Sequence, residues 1–256
     1  MYAEERQQAL LDAAQTRGRV VVVEAAAEFG VTAETIRRDL GVLEGHGLVR
    51  RVHGGAIPAD ALDFAEHGLS DREVTRAEEK KRIARAALPH LPRGNGATLL
   101  LDAGSTVGAL ATAMPADPDL VVITNSLPIA ATVRTKLPGK VHIIGGRVRS
   151  LTMATVGFEA VRAVEQLRVD VAVLGTNGIT LGHGCSTPHP EEAAVKAAMV
   201  RAARRVIVLA DSSKVGTEHL RTFAALGEVD LLVTDSGIAD EDVNLFSSEG
   251  IEVVIA

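Results

Sequence analysis

The sequence predicts an α/β protein in two parts, a small helical unit ending in a basic hairpin and a larger unit on a mostly parallel sheet. Three observations carry this. Residues 1–57 run helix, short helix, glycine turn, long helix, basic strand. From Ala97 onward, short apolar runs alternate with glycine- or hydroxyl-rich loops and helical stretches, the order that places helices on both sides of a parallel sheet. Between the two lies a polar, irregular stretch, residues 59–77, expected as a linker.

In the first unit, residues 3–16 set Leu10 and Leu11 among Ala and Gln. Glu4 and Glu5 occupy the first turn, where a helix dipole favours acids. Gly18 stops that helix. Val20–Val23 is a short β-branched run, Glu24–Phe29 makes one or two helical turns, and Gly30 supplies the tight turn. Thr32 offers an N-cap for a helix over Ala33–His46, which Gly47 ends. Leu48–His53 follows as a basic strand, and Gly54, Gly55 and Pro58 break the chain. This order is that of a winged helix-turn-helix, expected over residues 1–58.

The second unit is expected over residues 78–256, opening with a charged helix from Glu78 to Leu88. Candidate strands are Thr98–Leu101, Leu120–Thr124, Val141–Ile144, Val171–Leu174, Val206–Leu209, Leu231–Thr234 and Val253–Ile255. Each is a continuous apolar run, which suits burial on both faces. Helices are expected at Thr106–Met114, Leu127–Lys136, Phe158–Leu167 and Glu191–Arg204.

Composition narrows the function. The 256 residues are 46% hydrophobic and 23% charged, a balance that folds rather than stays disordered. Aromatics are only 2%, too few for base-stacking platforms that hold single strands. The single cysteine, Cys185, excludes an intramolecular disulfide and suits a reducing compartment. No secretory h-region and no apolar run of about 18 residues occurs, so a cytoplasmic protein without a membrane partner is expected. The net charge of −6 speaks against nucleic acid only at first sight. Residues 36–53 carry Arg37, Arg38, Arg50 and Arg51 against Asp39 and Glu44. A phosphate backbone feels that local field, because exposed charges are screened beyond about 8 Å at physiological salt.

On a helical wheel, Ala33, Ile36, Leu40 and Leu43 share one face. Arg38 and Glu34 lie opposite, with Thr35 and Arg37 on the flanks. Thr32, Glu34, Thr35, Arg37 and Arg38 are therefore candidate DNA contacts. Arg38 is central, since arginine donates two bonds to guanine, worth about 1–3 kcal/mol of discrimination. Arg50, Arg51 and His53 on the following ribbon are placed to hold phosphates. The competing account is a solvated face that carries four arginines by chance.

In the larger unit, polar loops follow the strands on the edge where helix N-termini point and ligands bind. They are Asp102-Ala103-Gly104-Ser105-Thr106, Thr124-Asn125-Ser126, Gly145-Gly146-Arg147, Gly175-Thr176-Asn177-Gly178 and Asp211-Ser212-Ser213-Lys214. Gly104, Ser105 and Thr106 offer backbone and hydroxyl donors to an anion at a helix start. Lys214 supplies a positive partner for phosphate, and Asp102, Asn125 and Asn177 are placed to orient sugar hydroxyls. Each loop alone is ordinary helix capping; five on one predicted edge, one with a lysine, favour a phosphosugar pocket as the expectation. Neither GxxxxGK[ST] nor a strand-following GxGxxG occurs. His183, Cys185 and His189 lack a fourth partner at zinc-like spacing. A mobile loop over the pocket is the simpler account, with His189 near Glu191 touching the sugar. Glu191, Glu192 and Lys196 are helical neighbours, equally a surface pair or a site.

TIRRDL at Thr35–Leu40 and LVRRVHGGA at Leu48–Ala56 resemble the signature of the DeoR family of bacterial transcriptional regulators. The resemblance continues through EKKRIA at Glu79–Ala84, LDAGST at Leu101–Thr106, TNSL at Thr124–Leu127, GG at Gly145–Gly146 and LADSSK at Leu209–Lys214. It implies a winged helix joined to a sensor domain resembling ribose-phosphate isomerase that binds phosphorylated sugars. The implied role is repression of a sugar-utilisation operon. Its partners would be double-stranded operator DNA and a small phosphosugar effector. The run from Met1 to Pro92 is similar to fructose-operon regulators, which implies fructose 1-phosphate. A homo-oligomer is expected because paired recognition helices match paired half-sites; no cofactor and no metal are expected. The competing class is a phosphosugar isomerase on the same fold, which needs a carboxylate base over the substrate carbon. The loop where such isomerases carry acids reads Gly175-Thr176-Asn177-Gly178-Ile179 in this chain, without one, leaving Asp102, Asp211 or Glu191 as substitutes.

Overall fold

The computed structural model describes residues 3–17, 20–45, 48–52, 54–58, 68–137 and 140–256. They fall into two compact units, Met1–Glu66 and His67–Ala256.

The first unit comprises α1 (Ala3–Arg17), β1 (Val20–Val21), α2 (Val22–Phe29), α3 (Ala33–Gly45), β2 (Val49–Val52) and β3 (Gly55–Pro58). Leu10 and Ala14 of α1, Ile36, Leu40 and Leu43 of α3, and Val49 close one small core. Gly30 ends α2 in the left-handed conformation (φ 65°), which a residue without Cβ adopts at little cost. Thr32 caps α3, its hydroxyl accepting from the Thr35 amide at 3.2 Å. Two local expectations change. α2 starts at Val22, ahead of Glu24, because only Val20 and Val21 pair as strand. The Gly54–Pro58 stretch, expected as a break, is mostly a strand: β3 lies between β1 and β2, antiparallel to both. Gly55 makes that approach possible, since a Cβ there would sit 1.9 Å from the Val20 carbonyl oxygen.

The second unit opens with α4 (Leu69–Val74) and α5 (Ala77–Ala87). The stretch 59–77, expected as an irregular linker, thus carries a helix in its second half; residues 59–67 lie outside the described residues. Next come β4 (Thr98–Leu101), α6 (Ser105–Ala113), β5 (Val121–Thr124), α7 (Leu127–Arg134) and β6 (Val141–Ile143). A hairpin of β7 (Arg147–Arg149) and β8 (Ala154–Val156) precedes α8 (Phe158–Glu165) and β9 (Val169–Gly175). The remainder is β10 (Gly178–Thr180), β11 (Gly184–Thr187), α9 (Pro190–Ala202), β12 (Ala203–Leu209), β13 (Arg221–Ala224), β14 (Leu231–Thr234), α10 (Asp240–Ser248) and β15 (Glu252–Ile255).

Seven strands form one parallel sheet in the order β15-β14-β12-β9-β4-β5-β6. One face packs α5, α6 and α7 through Ile83, Val107, Leu110 and Val133. The other packs α8 and α9 through Ala160, Val164, Val195 and Met199. The central strands are buried on both faces, as their unbroken apolar runs require. β6 is an edge strand and exposes His142 and Ile143, so burial on both faces does not hold there. The stretch around His183, expected as a mobile loop, is an antiparallel sheet in the order β10-β11-β13. Among the described residues no helix is long and apolar enough to cross a membrane.

Candidate functional site

The sheet reverses its winding between β4 and β9: β5 and β6 follow on one side, β12, β14 and β15 on the other. Such a switch point opens a crevice at the carboxyl ends of the strands. The loops after β4 and β9 meet there. The Asp102 carboxylate accepts from the Gly175 amide at 3.1 Å, and the Asp102 amide donates to the Val173 carbonyl at 3.0 Å.

Two adjoining cavities occupy the crevice. One, of about 80 Å³, is lined by Gly104, Ser105 and Thr106 at the start of α6, by Thr176, by Asp211, Ser213 and Lys214 after β12, and by Arg72, Thr75, Arg76 and Lys80. The other, of about 10 Å³, is lined by Asp102, Asn125, Thr152, Asn177, Glu192 and Lys196. Arg72 and Gly104 border both. A wider groove of about 670 Å³ between α5, α6 and α7 has Ala109, Ala113 and Ile129 among its lining. Half of its lining is polar, Glu73, Lys81 and Arg85 included, and it shares Lys80 and Ser105 with the cationic cavity; the crevice differs in gathering the loops that follow β4, β9 and β12.

Charge is divided between the cavities. The first gathers Arg72, Arg76, Lys80 and Lys214 against the single carboxylate of Asp211, which Arg76 engages at 3.1 Å and the Ser213 hydroxyl at 2.5 Å. Burial alone would raise the Asp211 pKa, but the Ser213 hydroxyl, Lys214, Arg76 and Lys80 hold it below the ordinary aspartate value. In the second cavity the charges are internally matched. The Lys196 ammonium pairs with Asp102, donates to the Gly175 carbonyl at 2.9 Å and lies 5.2 Å from the Phe223 ring centroid. Burial pushes the Asp102 carboxyl up, against the pull of Lys196. Glu192 accepts from Thr152 at 2.5 Å and Arg149 at 3.0 Å. Burial opposes its ionisation, yet Thr152, Lys196 and Arg149 keep its pKa low. Asn125 is the unfinished group: 3% exposed, it donates to the Thr155 carbonyl at 3.3 Å, while its Oδ1 has no partner. A buried acceptor without a donor is costly, and a ligand hydroxyl would satisfy it.

Of the residues expected at this site, the structure brings together Asp102, Gly104, Ser105, Thr106, Asn125, Asn177 and Lys214. Four others serve elsewhere. Thr124 accepts from the Ser126 amide, and Ser126 caps α7. Gly145 is exposed and lines neither cavity. Glu191 turns outward to Arg147, and its neighbour Glu192 faces the cavity instead. His183 is held by the His219 carbonyl and Thr222, and His189 occupies the N-cap position of α9. Cys185 is buried, and burial pushes its thiol up to about 12.

Sequence reasoning missed Arg72, Arg76 and Lys80, and left Glu192 and Lys196 open between a surface pair and a site. A signal existed for three of them. Lys80 stands in helical phase with the buried Ile83, Ala84 and Ala87, and Glu192 and Lys196 with the buried Val195 and Met199. A charge on an apolar stripe asks for a buried partner.

In the first unit, α3 presents Arg37 and Arg38 to solvent and buries Ile36, Asp39, Leu40 and Leu43. Glu34 pairs with Arg37 at 3.2 Å, on the exposed face; Arg38 has no ion pair among the described residues. Asp39, a charge on the buried side that the wheel did not anticipate, receives Arg6 Nε at 2.6 Å and Gln7 Nε2 at 3.1 Å. It ties α3 to α1. Thr32 and Thr35 share a cap hydrogen bond at 2.9 Å. Arg50 and Arg51 belong to β2, but their side chains, and His53, lie outside the described residues.

A three-helix unit with a small antiparallel sheet, followed by a switch-point α/β unit, defines a helix-turn-helix protein with an appended α/β domain. The DeoR-like helix-turn-helix domain model matches residues 6–61, and the DeoR C-terminal sensor domain model matches residues 75–236. The HTH-type transcriptional regulator GlpR of Haloferax volcanii is 35% identical over 88% of this chain and 87% of its own. The HTH-type transcriptional repressor GlcR of Bacillus subtilis is 34% identical over 100% of this chain and 97% of its own. The glycerol-3-phosphate regulon repressor of Escherichia coli is 32% identical, covering 91% and 90%. The chain belongs to the DeoR family of transcriptional regulators. Among solved structures, a D-ribose-5-phosphate isomerase in complex with phospho-erythronic acid aligns with 54% of each chain at a TM-score of 0.40 and 18% identity, too distant for residue-by-residue transfer.

Proposed function

We propose that this protein represses a sugar-utilisation operon and that a phosphorylated sugar, fructose 1-phosphate as first choice, sets its affinity for operator DNA. The observation that carries the reading is the division of the crevice. One side holds four cations beside the N-terminus of α6, and the other holds a buried, unsatisfied Asn125 acceptor. A phosphate ester bearing hydroxyls has that polarity. Arg38 reads a base edge, Arg37 and Thr35 flank it, and Arg50, Arg51 and His53 hold phosphates. A homo-oligomer acting on paired half-sites in the cytoplasm completes the reading. Each crevice carboxylate is already engaged: Asp102 by Lys196, Glu192 by Arg149 and Thr152, Asp211 by Arg76. None stands free as the base an isomerase needs, which supports a regulator over an enzyme.

Gel-shift titration on the DNA upstream of its own gene, with fructose 1-phosphate, fructose 6-phosphate and ribose 5-phosphate, tests this. A specific shift changed by one of them is expected. No specific shift at low salt would overturn the DNA reading. Lys214→Ala should abolish the response to effector while leaving operator binding intact. A variant that still responds at the same concentration removes Lys214 from the pocket.

A further inference from the structure

α4 and the start of α5 supply Arg72, Thr75, Arg76 and Lys80 to the cationic cavity, and Arg72 is also wall to the hydroxyl-lined one. This matters because the cavities, about 80 and about 10 Å³, fall well below the roughly 300–1,000 Å³ of ligand clefts. To admit a phosphosugar across both, the residues that divide them have to shift, and of the two that border both cavities, Arg72 and Gly104, Arg72 is carried on α4. α4 is poorly anchored: six residues, none buried, with Val74 76% exposed. At its N-terminal end the Leu69 amide donates to the Leu151 carbonyl at 3.0 Å. At its C-terminal end the carbonyls have no intrahelical partner, and Lys80 holds them: its ammonium donates to the Arg72 carbonyl at 2.5 Å and the Thr75 carbonyl at 2.7 Å. The junction to α5 runs through Arg76 in the left-handed conformation (φ 52°), sparsely populated for a residue with a side chain.

Lys80 is the unusual member of this set. It is 6% exposed and has no carboxylate within ion-pair distance among the described residues. Asp211, the nearest acid electrostatically, is already engaged by Arg76 and Ser213. Burial pushes the Lys80 pKa down, and Arg72, Lys214 and Arg76 add to that repulsion. A buried cation held only by carbonyl oxygens, among three other cations, has most to gain from an arriving dianion, which brings the opposite charge that neutral carbonyls lack.

We propose that Lys80 is a ligand-operated latch: on binding a phosphate ester, its ammonium leaves the Arg72 and Thr75 carbonyls for the phosphate oxygens and thereby releases α4. This rests on the phosphosugar reading above and adds how binding leaves the pocket. α4 is the first described element after residues 59–67, the segment that joins the sensor to the first unit. A ligand shifts an equilibrium only by binding its two states differently, and the exchange of partners at Lys80 supplies that difference.

Hydrogen exchange on the full chain tests the latch. Fructose 1-phosphate, ribose 5-phosphate, inorganic phosphate and unphosphorylated fructose are compared, with binding measured separately by calorimetry. The reporters are the Arg72 and Thr75 amides, bonded at 3.0 Å to the Gly68 carbonyl and at 3.1 Å to the Asp71 carbonyl. Every phosphate compound that binds should speed their exchange at least tenfold, while fructose leaves it unchanged. Lys80→Gln should weaken the same compounds at least tenfold and exchange rapidly over 69–75 without ligand. Binding with unchanged or slowed exchange over 69–75 overturns the latch and leaves the phosphosugar reading standing; so does a Lys80→Gln protein that binds within twofold of the original. If no phosphate compound binds, both fall. Should Lys80→Gln not fold, the exchange of the original protein decides alone.

Discussion

Lys196 shows how much depends on single buried charges. Its ammonium serves Asp102, the Gly175 carbonyl and the Phe223 face at once, and both ends of the pair are nearly sealed from water. Removing one partner of a buried pair leaves an uncompensated charge and typically costs about 3–5 kcal/mol. Lys196→Met should therefore lower sensor stability by about that much in a urea melt, and adding Asp102→Asn should recover part of the loss. Full additivity of the two changes would show that the pair is not coupled. On the other unit, Arg38→Ala should flatten the ranking of operator over randomised DNA. Arg51→Ala should weaken all DNA alike and reduce the salt slope by about 0.9 per lost phosphate contact. Equal loss of affinity with unchanged ranking in both would move the recognition face elsewhere. Cys185, with its thiol pushed up to about 12 by burial, should stay silent to a thiol reagent at neutral pH until denaturant is added.

Among the elements, α3 is the one whose placement depends on a polar contact. Its apolar stripe fixes which face turns inward, but Arg6 and Gln7 grip Asp39 from α1 and set its position along that helix. Arg6→Ala should destabilise the first unit by about 3 kcal/mol, because Asp39 would be left buried without its charge partner. Operator binding should fall in parallel, even though Arg6 is on another helix from the exposed arginines. Gly55→Ala acts on the ribbon: its Cβ would meet the Val20 carbonyl at 1.9 Å, so β1 has to separate from β3. Thermal unfolding of the isolated residues 1–66 would record this as a lower Tm, and an unchanged Tm would show that β1 does not pair there. In the sensor, the α4–α5 elbow is invisible to local pattern. α4 is short, exposed and without an apolar stripe, which marks it as linker, and contacts such as those of Lys80 and Arg76 bring it to the crevice.

For the whole molecule, acid stability follows from the crevice. Glu192, Asp211 and Asp235 have folded pKa values below the ordinary 4.5 and 3.8. Their contribution is complete above those ordinary values and is lost as pH falls through the lower folded ones. Asp102 works the other way: its raised value costs stability at neutral pH, a cost relieved as the pH drops through it. With these three, and the more exposed Asp170 and Glu78, lowered against Asp102 raised, the sensor should lose stability below about pH 4. Glu192→Gln should shallow that loss in a pH series of urea midpoints. A midpoint that does not move between about pH 3 and 6 would contradict the lowered values of these three acids.

Much of this protein is written in local pattern. The alternation of apolar runs with capped helices determined the parallel sheet, and the glycine turn before a Thr-capped helix determined the helix-turn-helix. The hydroxyl loops after the strands marked the edge on which a ligand would sit, because each lies within a few residues of the strand that positions it. What the chain could not declare were contacts between residues far apart in it. Asp102 meets Lys196 across 94 positions and Arg76 meets Asp211 across 135, and no periodicity records such distances. Tertiary structure decided that Glu192 rather than Glu191 faces the cavity, that Thr124 and Ser126 serve the backbone, and that a stretch patterned as linker closes the site. The physical reason is common to all three. A propensity is set by neighbours along the chain, whereas burial and charge pairing are set by whichever elements the sheet order brings together.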